Sequence, residues 1–343
     1  METIPFNQIS GHPMVLEYLS NVLKNGPVGH AYLFYGPDGV GKQTIAQRFA
    51  MALLCDQLTP SGDACGQCDS CRRFNHEAHP NFQLLAKEGK QSYKIEQLRE
   101  LQSNVALGAI HGSRRVYLIP EAESMLPSSA NAILKTLEEP SKGVVFILVS
   151  SNWLALLPTI ISRCQQVRFG RLPTNTVKTI LQSRTTLSEP ELLLLAQISE
   201  GSAGKGMGLA NPAVFAFRKA LLSKLANHKP KDVASALAIP KFIIDQRKIL
   251  ENEMDLKLDM LIIYDWIIYW LRDLLVYRLT KDSEQLINQD YKDAIASICT
   301  QWSWAAIRSA IQQLELLKYL SSKNLNPTFS LETVFLNAYQ SVS

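Results

Sequence analysis

The chain has 343 residues, 46% of them hydrophobic and 19% charged, with a net charge of +4. That length predicts two or three domains, and that composition is of a soluble globular protein rather than a disordered one. The mild charge permits contact with DNA but lacks the concentrated basic face of a dedicated DNA binder.

The opening residues, Met-Glu-Thr-Ile-Pro-Phe, have neither the basic region nor the apolar core of a signal peptide. The most apolar stretch, residues 260–271, is too short to span a bilayer and contains Asp265. A cytoplasmic protein is therefore expected, and in that compartment clustered cysteines point to metal rather than to disulfides.

In chain order, residues 1–25 carry Phe6, Ile9, Val15, Leu16, Leu19, Val22 and Leu23 at helical spacing, entered through a Gly11-His12-Pro13 turn. The apolar run His30-Ala-Tyr-Leu-Phe-Tyr35 then leads into Gly36-Pro37-Asp38-Gly39-Val40-Gly41-Lys42-Gln43-Thr44. A helical pattern follows through Ile45, Ala46, Phe49, Ala50 and Leu53. Strand, glycine-rich loop, Lys and helix are the parts of a phosphate-cradling P-loop. Glycines let successive backbone N–H groups converge on phosphate oxygens, and the helix N-terminus adds partial positive charge. Lys42 is expected to reach the β- and γ-phosphates. The position after it normally carries a Mg²⁺-holding hydroxyl and here is Gln43, followed by Thr44. Phosphate binding, by ATP or ADP, is thus expected to survive while Mg²⁺ placement is put in question.

Cys55 is followed, after a loop rich in Pro, Ser and Gly, by Cys65-Gly-Gln-Cys68-Asp-Ser-Cys71. Four thiolates are enough for a closed tetrahedral Zn²⁺ site, which has no open position and is structural. His76 and His79 are surplus to such a site and read as loop residues. Residues 82–85 suit a short strand, and Ile95, Leu98 and Leu101 follow at helical spacing. Residues 114–119 then form a buried strand of parallel type. In P-loop NTPases such a strand ends in the Asp that orders Mg²⁺; here it ends in Pro120-Glu121. The metal-holding acid is missing, and Glu121 remains as a candidate general base. An amphipathic helix over residues 131–139 stops at Pro140. Strands over 144–149 and 166–169 flank Pro158-Thr-Ile-Ile-Ser162-Arg163-Cys164. Alternating strands and helices predict a doubly wound parallel α/β sheet with nucleotide at its C-terminal edge.

Beyond Leu172-Pro173 the apolar spacing becomes wholly helical. Val177, Ile180, Leu181 and residues 192–198 are followed by a Gly201-Ser-Ala-Gly204-Lys205-Gly206 turn and a short helix ending near Asn211-Pro212. The rest is all-helical, with Trp266, Trp270, Trp302 and Trp304 read as core and subunit interface. Residues 254–279 read as one long helix apolar on more than one face. The expected domains are thus residues 1–172 with the zinc module at 55–71, a small helical module over 173–210, and an all-helical domain over 211–343, which the resemblance described next would make a lid and a collar or oligomerisation domain.

Together these stretches resemble the bacterial replicative clamp loader within the AAA+ superfamily of P-loop proteins. The resemblance is carried by His30-Ala-Tyr-Leu-Phe before the P-loop, the zinc module, Leu134-Lys-Thr-Leu-Glu-Glu-Pro140 and Pro158-Thr-Ile-Ile-Ser-Arg-Cys164. It extends more weakly through Trp270-Leu-Arg-Asp273 and Asn324-Leu-Asn-Pro327 to Leu336. Two subunit types of DNA polymerase III share these motifs. The gamma/tau motor keeps Ser or Thr after the P-loop Lys and Asp-Glu after the second strand. Gln43 and Pro120-Glu121 both depart on the metal side, which resembles the delta-prime type. The resemblance implies a ring of five AAA+ subunits, including gamma/tau and delta, that opens a sliding clamp at primer–template DNA. It also implies that Arg163 is an arginine finger acting on a neighbour's ATP, that no ATPase is intrinsic to this chain, and that Lys205 is a basic residue of the lid. A gamma/tau-type motor is the alternative within the family. A zinc-dependent DNA-binding protein with a vestigial P-loop is the alternative outside it, disfavoured by the lack of a basic run.

Overall fold

The computed structural model describes residues 4–85, 87, 92–106, 114–227, 237–320 and 327–340, the last helix in backbone only at 327–330 and 338–340. Three nearly continuous apolar stretches set its sheet. Strands β1 (Ala31–Tyr35), β3 (Arg115–Ile119) and β4 (Val144–Ser150) are buried along almost their whole length, as parallel strands covered on both faces must be. With β2 (Phe82–Leu84) and β5 (Gln165–Arg168) they form a five-stranded sheet in the order β2-β3-β4-β1-β5. Every pairing is parallel, with Ala31 opposite Phe146, Tyr32 opposite Gln165, Phe82 opposite Val116 and Arg115 opposite Val144. At the edge, β5 buries Val167 and exposes Gln165, Gln166 and Arg168.

Side chains alternate along a strand, and this divides the core in two. Tyr32, Phe34, Val116, Leu118 and Ile147 pack on one face with Leu19 of α1 (Pro13–Asn25) and with Ile45 and Phe49 of α2 (Lys42–Leu54). Ala31, Leu33, Tyr117, Phe146 and Leu148 pack on the other with Leu98 of α4 (Ile95–Ala106) and Ile133 and Leu137 of α5 (Pro127–Glu138). Each such large side chain, fully buried, contributes about 1.5–3 kcal/mol. The short α3 (Asp69–Asn75) closes the cysteine loop and lays Phe74 into the first core. After α6 (Pro158–Ile161) and β5, the chain turns helical in α7 (Thr174–Gln182), α8 (Glu189–Ile198) and α9 (Ala203–Leu209). A capping box of Ser188 and Glu191 starts α8.

Residues 1–207 and 208–343 form two compact units. The second comprises α10 (Pro212–Ala226), α11 (Ala238–Met254), α12 (Met260–Thr280), α13 (Lys292–Ile298), α14 (Trp304–Leu320) and α15 (Pro327–Gln340). Trp266, Trp270 and Trp302 are core, while Trp304 is 43% exposed beneath the Arg278 guanidinium. Of the long helix expected over residues 254–279, residues 260–279 form one helix, and only its start differs, Met254 being the end of α11. Asp255 takes the left-handed conformation (φ 49°), Leu256 N–H closes on Leu250 O at 3.0 Å, and Asp259 caps the new helix through Leu261 N–H. A Schellman-type stop followed by an Asp cap separates two helices whose apolar patterns run together in sequence.

Asp265, inside the apolar run, pairs with Lys318 at 2.7 Å. The Asp273 of Trp-Leu-Arg-Asp is fully buried and accepts from the N–H groups of Ile287 and Asn288. That motif is therefore a structural clamp on the loop after α12. Asn324, Leu325 and Asn326, which carried part of the resemblance, lie outside the described residues. Among the described residues no helix is long and apolar enough to cross a membrane.

Candidate functional site

The phosphate loop joins β1 to α2 at the C-terminal edge of the sheet. Gly36 (φ 147°) passes so close to β5 that a Cβ there would lie 2.2 Å from Phe169 O, so only glycine fits. His12, itself left-handed (φ 54°), props the loop from below, its Nε2–H donating to Val40 O at 2.8 Å. Burial lowers the His12 pKa, partly offset by that bond, and the nearby Lys42 charge lowers it further.

Lys42 begins α2 and is buried. Its ammonium donates to Gly36 O (2.8 Å), Pro37 O (2.5 Å) and Ser151 Oγ (3.2 Å). Burial lowers its pKa, against the opposing charges of Asp38 and Glu123. A cavity of about 590 Å³ opens over the loop, lined by Gly41, Lys42, Gln43, Thr44, Ile9 and Ile180 among others. This is the size of a small-ligand pocket. Gly204 and Met207 of α9 roof it, whereas Lys205, in the same turn, is not among its lining residues.

The acid side of the site is reorganised. Pro120 O accepts from the Tyr93 hydroxyl, and the Glu121 carboxylate pairs with Lys87. Glu121 lines the cavity with a left-handed backbone (φ 43°). Glu123, which the sequence pattern did not single out, accepts Ser151 N–H at 2.9 Å and so links to Lys42 through Ser151. Only the long-range contact to Ser151 marks it, and nothing local in the sequence does.

The four cysteines come together. The Sγ atoms of Cys55, Cys65, Cys68 and Cys71 all lie within 4.8 Å of one another, with Cys55–Cys68 and Cys65–Cys71 both 3.9 Å apart. Four sulfurs at about 2.3 Å from a tetrahedral Zn²⁺ would be about 3.8 Å apart, so this donor set fits zinc. Backbone N–H groups of Cys65, Gln67, Cys68 and Cys71 point at these sulfurs, as negative thiolates require. Burial works against a Cys65 thiolate, yet the N–H groups of Gln67 and Cys68, with the neighbouring thiols of Cys68 and Cys55, bring it down to about 7, whereas burial pushes the Cys55 and Cys71 thiols up. His76 ends α3 and His79 Nδ1 accepts Asn81 N–H; neither is in the cluster.

Behind this module lies a contact that the sequence reading missed. Arg48 Nε and Nη2 grip the two oxygens of Asp63 at 2.7 and 2.9 Å, both side chains being buried. Asp63 also accepts from Phe6 and Ala64 N–H.

Arg163 stands apart from the cavity. Ile160 and Cys164 on either side are buried, and the Arg163 side chain emerges between them to meet Glu138 Oε1 at 2.6 Å and Thr159 O at 2.9 Å.

A P-loop at the C-terminal edge of a parallel sheet, roofed by a small helical module, defines an AAA+ nucleotide-binding core. Comparison with known proteins resolves the class further. A family described as "DNA polymerase III, delta subunit" matches residues 11–173, and its C-terminal counterpart matches residues 215–339. DNA polymerase III subunit delta' of Pseudomonas aeruginosa is 31% identical over 90% of this chain and 90% of its own. The Bacillus subtilis subunit delta' is 29% identical over 94% and 95%. DNA polymerase III subunit tau of Escherichia coli is 36% identical, over only 61% of this chain and 33% of its own. This chain belongs to the DNA polymerase III subunit delta' family, and it is a delta-prime-type subunit of the bacterial replicative clamp loader.

Proposed function

We propose that this chain is a non-hydrolysing member of the loader ring and that Arg163 is its catalytic contribution, made to the ATP site of an adjacent gamma/tau-type motor. The observation that carries this reading is the paired departure on the metal side of its own site. Gln43 replaces the hydroxyl after Lys42, and Pro120 replaces the acid after β3. The Lys87 pairing of Glu121 supports it, since the carboxylate is already engaged by an ammonium and would have to leave it to orient a water. A planar, permanently charged guanidinium suits the charge spread over a transferring γ-phosphoryl group.

In this reading the chain works in the cytoplasm, beside gamma/tau and delta subunits, on a sliding clamp and primer–template DNA. Residues 1–172 form the nucleotide-binding-like domain, 173–210 the lid, and 211–343 the collar through which the ring assembles. Cys55, Cys65, Cys68 and Cys71 hold a structural Zn²⁺. ATP or ADP sits on the loop amides with Lys42, and Lys205 serves the lid face toward solvent or phosphate.

The test is ATP turnover with Mg²⁺, by the chain alone and in the reconstituted loader. No turnover alone, with DNA-stimulated hydrolysis in the loader cut by Arg163→Ala, is the expected result. Robust turnover alone would move the chain to the motor class, and undiminished hydrolysis with Arg163→Ala would remove the finger.

A further inference from the structure

We propose that Glu138 is the positioning residue for Arg163, holding the guanidinium aimed and extended before a neighbour's nucleotide arrives. This rests on the arginine-donor reading and extends it to a second residue. The ion pair spans α5 and the turn after α6, with Arg163 Nη2 donating to Glu138 Oε1 at 2.6 Å. The other nitrogen, Nη1, donates to Thr159 O at 2.9 Å and to Ser162 Oγ at 3.4 Å.

Both ends of this arrangement are fixed by packing. Glu138 is the last residue of α5, whose Ile133 and Leu137 are fully or almost fully buried. Arg163 lies between buried Ile160 and buried Cys164, and its N–H is bonded to Ile160 O at 3.1 Å. The paired side chains themselves are 33% exposed at Arg163 and 47% at Glu138.

The placement of Glu138 runs against its own helix. A carboxylate in the last turn faces the negative end of the helix dipole and is locally unfavourable. A local rule broken on a well-packed element is expected where function requires it, and the Arg163 charge is what compensates here.

The bonding also leaves the finger usable. A guanidinium has five N–H donors. Two on Nη1 and one on Nη2 are used in the bonds above, while Nε–H and the second Nη2–H make no bond among the described residues. A long side chain held in one direction loses less freedom on meeting a phosphate than one sampling many rotamers. Because the reward comes when charge develops on the transferring group, the effect falls on kcat and not on KM for ATP.

The experiment uses the reconstituted loader, measuring clamp- and DNA-stimulated ATPase for Glu138→Ala, Glu138→Gln, Arg163→Ala and the double variant Glu138→Ala with Arg163→Ala. Gel filtration confirms that each still assembles. Glu138→Ala and the isosteric Glu138→Gln are expected to lower kcat roughly three- to tenfold with KM unchanged. Arg163→Ala should lower it further, and the double variant should match Arg163→Ala alone, because both residues act through one group. Wild-type or raised kcat in both Glu138 variants, beside a depressed Arg163→Ala, would overturn the positioning role while leaving the finger in place. Losses that add in the double variant would overturn it too. An Arg163→Ala loader at full speed would remove the finger itself, and this proposal with it.

Discussion

Gly204 N–H donates to Gly39 O at 2.8 Å, so α9 touches the phosphate loop backbone to backbone. Neither glycine has room for a side chain. A Cβ on Gly204 would lie 2.8 Å from Gly39 Cα, and one on Gly39 would lie 2.3 Å from Ser202 Oγ. A second tie holds the same module at its base, where Leu172 N–H meets Gly201 O at 2.9 Å and Arg171 meets Glu200 O at 2.6 Å. Held at both places, the module of α7 to α9 packs as an extension of the sheet domain.

Gly204→Ala should therefore destabilise the protein. The substitution gains up to about 1 kcal/mol in helix propensity, but a Cβ against fixed backbone costs about 1–3 kcal/mol, and the clash wins. Gly208, in the same helix, has nothing within 4 Å of its Cβ position, so Gly208→Ala should be neutral or stabilising. Urea unfolding midpoints of the two variants decide the matter. Equal midpoints would mean that α9 can shift off the loop at no cost.

The cysteine cluster predicts one zinc per chain, measurable by elemental analysis of freshly purified protein. Cys68→Ser should release the metal and cost on the order of 5 kcal/mol, since metal binding free energy is also folding free energy for such a module. Chelation should lower Tm of the wild type and leave Cys68→Ser unmoved. Protein that purifies without zinc and melts at the same temperature in chelator would end this assignment.

The legible parts of the fold were those written as local patterns. The central strands β1, β3 and β4, the P-loop and the four cysteines each announce themselves within ten or twenty residues, through burial on both faces, required positive φ, or fixed thiolate spacing. Contacts made across long separations were not legible. Asp63 lies in a Pro/Ser/Gly-rich loop where an acid is ordinarily solvated, and nothing local says that Arg48 reaches it. Glu138 is one of two adjacent acids before Pro140, and only the return of the chain at Arg163 distinguishes it from Glu139. The break at Asp255 was hidden because Leu256 and Leu258 carry apolar residues across it.

The Arg48–Asp63 pair gives a sharper stability prediction than any surface charge. Asp63→Ala would strip a buried guanidinium of its carboxylate and remove the acceptor used by Phe6 and Ala64 N–H. Breaking one side of such a pair costs about 3–5 kcal/mol. Replacing both charges, as Arg48→Met with Asp63→Leu, should cost less than Asp63→Ala alone, because no uncompensated charge stays buried. Chemical denaturation of the three proteins tests this. A double variant less stable than Asp63→Ala would show that the charges contribute more than their burial costs.

Lys42 is satisfied by Gly36 O, Pro37 O and Ser151 Oγ, and it must exchange carbonyl partners for phosphate oxygens when nucleotide enters. That exchange is favourable, since hydrogen bonds to a charged acceptor are roughly twice as strong as those to neutral ones. Mg²⁺, by contrast, finds Gln43 and Pro120 where a hydroxyl and a carboxylate would hold it. ADP affinity, followed by calorimetry, should accordingly change less than about threefold between Mg²⁺ and EDTA, while Lys42→Ala should weaken it by about tenfold or more, the loss of one charge-assisted contact. A steep Mg²⁺ requirement would mean that Thr44, Glu121 or Glu123 supplies the metal side after all. The paired departure at Gln43 and Pro120 would then no longer argue against hydrolysis.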